Sequence, residues 1–299
     1  MAGRMARSTG SISGPRERKA AYHGAAHDAA DISHAALQPY LPLKVEGYTE
    51  KHLRSSSVEL VYAFRSSGEG VCPFAVPDGC VDLAFGIGPS DVLVTMGGTV
   101  LSAKGWDFAG AREWVGCRFH PGEAILPEGV SPQDLIDRDI VLDEGILDGR
   151  MAEELFQAPS QLARMEILTD AVIEGTISLP QGSRPGSRSE RELERFTRRR
   201  ILASGGCTPI SSIADEAGVS AHYLRRSFMD IHGFTPKQFS RFVRFQRAME
   251  LIAHVQDASQ AHALAAACGY ADQSHLVHEF NEFAGMTPGK FRQLVRVAG

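Results

Sequence analysis

Apolar and polar residues alternate in four short runs: VELVYAFR (58–65), CVDLAFGI (80–87), DVLVTM (91–96) and REWVGCRF (112–119). A period of two in β-branched and aromatic sequence predicts strands with one buried face. Turn signals lie between the runs, at Ser66-Ser67-Gly68, Pro77-Asp78-Gly79, Gly86 to Pro89, and Gly97-Gly98. The spacing predicts an antiparallel sandwich or small barrel, with Pro77-Asp78-Gly79 as a hairpin turn. From residue 131 the period becomes helical. Ser131-Pro132 opens one short helix, and LARMEILTDAVI (162–173) sets Leu162, Met165, Ile167, Leu168 and Val172 on a packed face. Residues 176–189, TISLPQGSRPGSRS, have linker composition, and the chain reads as helical after them. Residues 1–36 show no sustained period and are expected to be a disordered tail. The predicted fold class is α+β. A β-sandwich or barrel-like domain with a helical appendage (37–175) precedes an all-α domain (190–299).

The helical part contains a repeat. Leu224, Phe228, Gly233, Thr235, Pro236 and Phe239 recur 52 residues later as Leu276, Phe280, Gly285, Thr287, Pro288 and Phe291. Ala214 and Gly218 recur 51 residues later as Ala265 and Gly269, so the second copy has one extra residue in its turn. Each copy reads as helix, glycine turn, helix. Gly218 and Gly269 supply the left-handed turn residue, and Ser220 and Asp272 cap the helix that follows. This is the helix-turn-helix pattern. Two copies are too few for a solenoid, which needs about three or more. The segment PKQFSRFVRFQRAMELIAHV (236–255) joins the copies, and its twenty residues make ~30 Å of helix. That length suits two recognition helices about one DNA turn, ~34 Å, apart.

Charge adds an asymmetry. The whole chain carries −5, but residues 187–299 hold 15 Lys+Arg against 11 Asp+Glu, a balance of +4, leaving −9 for residues 1–186. Within the helical part, residues 187–256 carry +5 and residues 257–299 carry −1, so the first copy is expected to supply most of the electrostatic attraction to phosphate. Five scattered cysteines without a C-x-x-C form no disulfide framework, which suggests a reducing cytoplasm. No apolar run approaches the ~18 residues of a membrane span.

The stretches ISSIADEAGVSAHYLRRSFMDIHGFTPKQF and ALAAACGYADQSHLVHEFNEFAGMTPGKFR resemble the AraC/XylS family of bacterial transcription regulators over about residues 190–296. VPDGCVDLAF (76–85), VGCRFHPGEA (115–124) and DLIDRDIVL (134–142) resemble an uncharacterised β-rich domain found in a subset of that family. The resemblance implies a cytoplasmic activator-type regulator that binds promoter half-sites of double-stranded DNA, works as a homodimer and contacts RNA polymerase. It implies no cofactor, metal or membrane association. It places base contacts at His222, Arg225 and Arg226 in the first copy, and at Gln273, Ser274, His275 and His278 in the second. Arginine can grip guanine O6/N7 with two hydrogen bonds, and glutamine can do the same for adenine. The sequence departs from the family in lacking basic residues at His278 and just after Phe280, where Asn281-Glu282 stands.

The resemblance gives the N-terminal part a sensing or dimerising role but no ligand. Phe64, Phe74, Phe85, Trp106, Phe108, Trp114 and Phe119 would line a pocket for a small apolar effector or simply form core. Asp82, mid-strand among apolar residues, is a binding carboxylate or a solvent-facing one. Cys117 and His120 are a lone C-x-x-H pair, Cys80 and Cys117 read as small buried side chains, and His23, His27 and His34 lack further ligands. Two alternatives stay open: a regulator governed by a protein partner without any small ligand, and a cupin-like enzyme fused to a DNA-binding unit. No P-loop, G-x-S-x-G or paired catalytic carboxylate supports the enzyme.

Overall fold

The computed structural model describes residues 38, 45–67, 74–105, 110–142, 149–175, 182–254 and 261–298. The expected tail, its histidines, Cys72, Trp106 and Phe108 lie outside the described residues, as do residues 176–181 of the expected linker. The N-terminal unit is built on one antiparallel six-stranded sheet with the order β1-β2-β7-β4-β5-β8. Its strands are β1 (Glu46–His52), β2 (Val58–Ser67), β4 (Val81–Ile87), β5 (Val92–Gly97), β7 (Ala111–Phe119) and β8 (Asp139–Val141). A two-stranded ribbon pairs β3 (Phe74–Ala75) with β6 (Lys104–Gly105). Pro77-Asp78-Gly79 is therefore not a hairpin turn, because β3 pairs with β6 while β4 pairs with β5 and β7. The segment crosses between the two sheets, and Asp78 closes it by accepting a bond from the Cys80 amide at 2.9 Å.

The strand alternation buries Val61, Ala63, Leu83, Phe85, Val94, Met96, Val115 and Cys117 on one face. Helix α1 (Gly149–Gln157) and helix α2 (Gln161–Glu174) cover that face with Leu155, Met165 and Leu168. Leu162 was expected there but is 66% exposed. The opposite face carries a separate cluster of Leu60, Tyr62, Phe64 and Trp114. Of the aromatics named from sequence, Phe85 and Phe119 thus face α1 and α2, while Phe64 and Trp114 lie on the other side. Cys80 and Cys117 are buried thiols, and burial pushes both up and away from reactivity. His120 reaches the Ser55 carbonyl oxygen at 3.2 Å.

Seven helices follow among the described residues: α3 (Arg188–Ala203), α4 (Ile210–Glu216), α5 (Ala221–His232), α6 (Pro236–His254), α7 (Ala261–Ala267), α8 (Gln273–Ala284) and α9 (Pro288–Ala298). They share one core in which α6 is the spine. Phe239, Phe242, Val243, Phe245, Ala248, Met249 and Ile252 of α6 are all 4% exposed or less. Phe245 meets Phe280 and Phe283 at 5.3 Å, edge to face, so the spine binds the second repeat as well as the first.

The two units are docked on each other. Val76 of the crossing segment lies in the helical core, and the Pro77 carbonyl accepts a hydrogen bond from Gln246 of α6 at 2.7 Å. Gln133, in a short 3-10 helix (Pro132–Leu135), donates to the Met229 carbonyl of α5. Glu123 accepts hydrogen bonds from Arg184, Arg195 and Arg198. Within the stretch read as linker, Ser183 exchanges two backbone hydrogen bonds with Leu126, and Arg184 also bonds Ser57 at 2.7 Å.

Candidate nucleic-acid interface

Both turns close with the same hydrogen bonds. In the first, Gly218 (φ 67°) donates to Asp215 and Val219 donates to Ala214. In the second, Gly269 (φ 76°) donates to Ala266 and Tyr270 donates to Ala265. This pairing satisfies the last carbonyls of α4 and α7 and needs a left-handed residue at the turn. Space distinguishes the copies. A Cβ at Gly269 would lie 2.2 Å from the Cys207 sulfur, while one at Gly218 meets nothing. Gly218→Ala should therefore cost only the left-handed penalty, roughly 1–2 kcal/mol. Gly269→Ala should cost measurably more, and urea unfolding of the two variants checks the order.

After the turns, Ser220 and Asp272 cap α5 and α8 by accepting amide bonds from Tyr223 (3.2 Å) and His275 (2.8 Å). The apolar pairs Leu224 and Phe228, and Leu276 and Phe280, point inward at 3% exposure or less. The remaining positions of each first turn and a half face solvent. His222, Arg225 and Arg226 are all exposed on α5, and Arg226 lies 3.9 Å from Asp230. Gln273, Ser274, His275 and His278 are all exposed on α8. Gln273, Ser274 and His278 line an open groove with Val277 and Asn281, two residues not among the expected base contacts.

His275 differs from its neighbours. The extra turn residue of the second copy leaves the Ala271 amide without a helical partner, and the His275 ring nitrogen Nδ1 accepts from it at 3.5 Å. The Tyr270 ring packs edge-on to the imidazole at 5.2 Å. Part of the His275 ring is thus committed to holding the turn.

The charge balance also changes once partners are visible. Arg241 of α6 bonds Glu279 and Glu282 of α8 at 2.7 Å each and sits 4.6 Å over the Phe283 ring. Arg200 pairs with Glu216, Arg188 with Glu192, and Arg195 and Arg198 with Glu123. Glu192 and Glu216 are already counted in the +5 of residues 187–256, but Glu123, Glu279 and Glu282 lie outside that segment, so about three of its five surplus charges are met inside the molecule. Arg225, by contrast, is exposed on the outer face of α5.

Residues 213–294 match a family described as a helix-turn-helix domain. Over 82 residues the chain is 33% identical to the HTH-type transcriptional activator RhaS of Escherichia fergusonii, covering 27% of this chain and 29% of the activator. The match thus spans well under half of that relative's length. Among solved structures, an AraC-type transcriptional regulator from Chromobacterium violaceum is 19% identical, over 38% of this chain and 100% of that one, with a TM-score of 0.33. ToxT from Vibrio cholerae is 8% identical over 78% of this chain and 97% of that one, with a TM-score of 0.40. Residues 213–294 are thus similar to a helix-turn-helix domain, set behind an N-terminal region built on a β-sheet.

Proposed function

We propose that this chain is a sequence-specific DNA-binding transcription regulator of the AraC type, and not an enzyme. The observation that carries the reading is the repeat. Two capped helices, α5 and α8, present exposed hydrogen-bonding side chains at equivalent positions, and α6 bridges them. The 19 residues of α6 make about 28 Å of helix, close to the ~34 Å between successive major grooves on one face of DNA. Arg225, Arg226 and His222 are assigned to one half-site, and Gln273, Ser274 and His278 to the other, with His275 serving mainly its own turn. The N-terminal unit is the regulatory part. It holds α5 and α6 directly through Gln133 and Pro77, so an effector that alters the sheet alters the presentation of the first helix-turn-helix. Activation through RNA polymerase and a homodimeric state belong to the same reading.

Genome-wide footprinting on the source organism's DNA, comparing the parent with Arg225→Ala/Arg226→Ala, tests the reading. A shared site of two adjacent half-sites is expected in the parent. Each arginine that reads a base should be worth about 1–3 kcal/mol, so the double variant should lose at least about thirtyfold in affinity. Each arginine that instead touches phosphate should lower the salt slope by about one. Diffuse, salt-sensitive binding that the variant leaves unchanged would reject sequence-specific recognition.

A further inference from the structure

The N-terminal unit touches both copies of the repeat, and at equivalent places. Gly233 ends α5 and Gly285 ends α8, each left-handed at φ 78° and 68°. A Cβ at Gly233 would lie 2.8 Å from the Pro132 carbonyl oxygen and 3.1 Å from the Gln133 amide nitrogen, so N-terminal backbone rests on the glycine itself. Gln133 adds its hydrogen bond to the Met229 carbonyl at 3.0 Å. A Cβ at Gly285 would come within 3.2 Å of the Ala103 Cβ. Both contacts fall at the tails of the helices. The first turns, with His222, Arg225, Gln273 and Ser274, stay exposed, so DNA and the N-terminal unit can hold the same helices at once.

Ala103 and Pro132-Gln133 stand on two loops that are joined as one piece. One loop leaves β5 at Gly97, the other enters β8 at Asp139, and those two residues are register partners. Gly98 donates to the Arg138 carbonyl at 3.2 Å, and a Cβ on it would lie 2.2 Å from the Leu135 carbonyl oxygen. Asp137 supplies the other ties. Its amide donates to the Thr99 carbonyl at 3.2 Å, its carboxylate accepts from the Leu101 amide at 2.9 Å, and its carbonyl accepts from the Lys104 ammonium. Leu101 and Ile136, one from each loop, pack against the helical core. Asp137 holds φ 56°, the one positive value outside glycine among the described residues. Such a conformation persists only where the surroundings determine it.

We propose that Asp137 is a positioning residue for DNA recognition. It holds residues 98–104 and 132–138 together as one brace against the tails of α5 and α8, and the brace sets which half-site spacing the two helices accept. The spine α6 supports each helix from its inner face. A second support at the tail fixes the tilt that a single support leaves free, and tilt decides where a first turn enters its groove. The role in spacing rests on the regulator reading, whereas the brace itself is a property of the protein without DNA.

Amide hydrogen exchange on the full chain tests the brace, and DNA duplexes of altered spacing test its role. Asp137→Gly keeps the left-handed backbone and removes the carboxylate. It should raise exchange about tenfold at both tails, residues 229–233 and 281–285, and leave the first turns unchanged. Asp137→Asn retains an Oδ1 acceptor and should behave as the parent. A rise at one tail alone, or at neither, would overturn the shared brace. On duplexes whose half-sites are moved by one base pair, the parent should lose about tenfold in affinity and Asp137→Gly about threefold or less. An equal loss at every spacing would reduce Asp137 to a stability residue and overturn its positioning role. Gln133→Ala, at an exposed side chain, serves if the aspartate variant folds poorly. It should raise exchange at the α5 tail and relax spacing in the same direction, and no change in either would also overturn the proposal. If the parent shows no specific site, the regulator reading fails and the exchange result still decides the brace.

Discussion

Replacing Glu123 with alanine is expected to separate the unfolding of the two units and cost about 3 kcal/mol. One carboxylate, 4% exposed, accepts from three arginines: Arg195 at 3.0 and 3.2 Å, Arg198 at 2.9 Å and Arg184 at 3.1 Å. Removing it leaves positive charge gathered at a buried junction, and breaking such pairs by deleting one partner costs about 3–5 kcal/mol. The lower figure applies because Arg195 and Arg184 keep 43% and 30% exposure and can turn toward water. The network continues inward. Arg198 bonds Glu194, Glu194 meets His232 at 2.9 Å, and His232 stacks on Phe228 at 4.1 Å, on the inner face of α5. Urea unfolding followed by tryptophan fluorescence and far-ultraviolet circular dichroism checks this, since both tryptophans lie in the N-terminal part. Coincident transitions are expected in the parent and divergent ones in the variant. A single transition within 1 kcal/mol of the parent would show that the junction does not depend on Glu123.

Acid should loosen the same network. Burial raises the Glu194 carboxyl, but the hydrogen bonds and charges of His232 and Arg198 outweigh it and leave the group below its ordinary 4.5. A carboxyl lowered by folding contributes stability that is complete above its unfolded value and disappears as pH falls through the folded one. Junction stability should therefore hold above about pH 4.5 and decline below it, and Glu194→Gln should flatten that decline. An unchanged acid limb in Glu194→Gln would assign it to other carboxylates.

The repeat was legible because each of its residues has one local job. Gly218 and Gly269 turn the chain, Ser220 and Asp272 cap, and Leu224, Phe228, Leu276 and Phe280 fill the core, all within a few residues of their partners. The four apolar strands were legible for the same reason. Strand β1, EGYTEKH, carries almost no apolar alternation because it is an edge strand whose residues are mostly exposed, as edges tend to be. The junction was invisible because its bonds span large sequence separations, as from Pro77 to Gln246. Gly-Ser-Arg-Pro-Gly reads as linker by composition, yet Ser183 and Arg184 are fixed by residues far upstream. Asp82 stood out as a polar residue in an apolar strand, but Arg118, which pairs with it, lies on another strand and carries no local signal. Formal charge misled in one respect. It counted Arg241 as available to phosphate, although Glu279 and Glu282 of α8 already hold it.

Phe239 and Phe291 occupy equivalent places in the repeat, and their alanine variants should nevertheless behave differently. Both are buried, at 0% and 2% exposure, and removal of a buried phenyl ring costs about 3–5 kcal/mol. Phe291 packs on Phe280 at 5.4 Å, inside the second copy. Phe239 packs on Phe228, His232 and Phe234 at 5.8, 5.9 and 6.2 Å, and its ring also lies against Gly79 of the N-terminal unit. A Cβ at Gly79 would come within 2.9 Å of that ring, so the crossing segment depends on the phenyl surface for its seat. Phe239→Ala opens a cavity bordered by α5, α6 and the N-terminal unit at once. It is expected to move the tryptophan and circular dichroism transitions together and to weaken DNA binding through the first half-site. Phe291→Ala should move the circular dichroism transition and leave most of the tryptophan transition in place, with loss confined to the second half-site. If Phe239→Ala left the tryptophan transition unmoved, the packing at Gly79 would be contact without coupling, and regulation of the first half-site would have to pass through the hydrogen bonds of Gln133 and Pro77 or through Glu123 and its arginines.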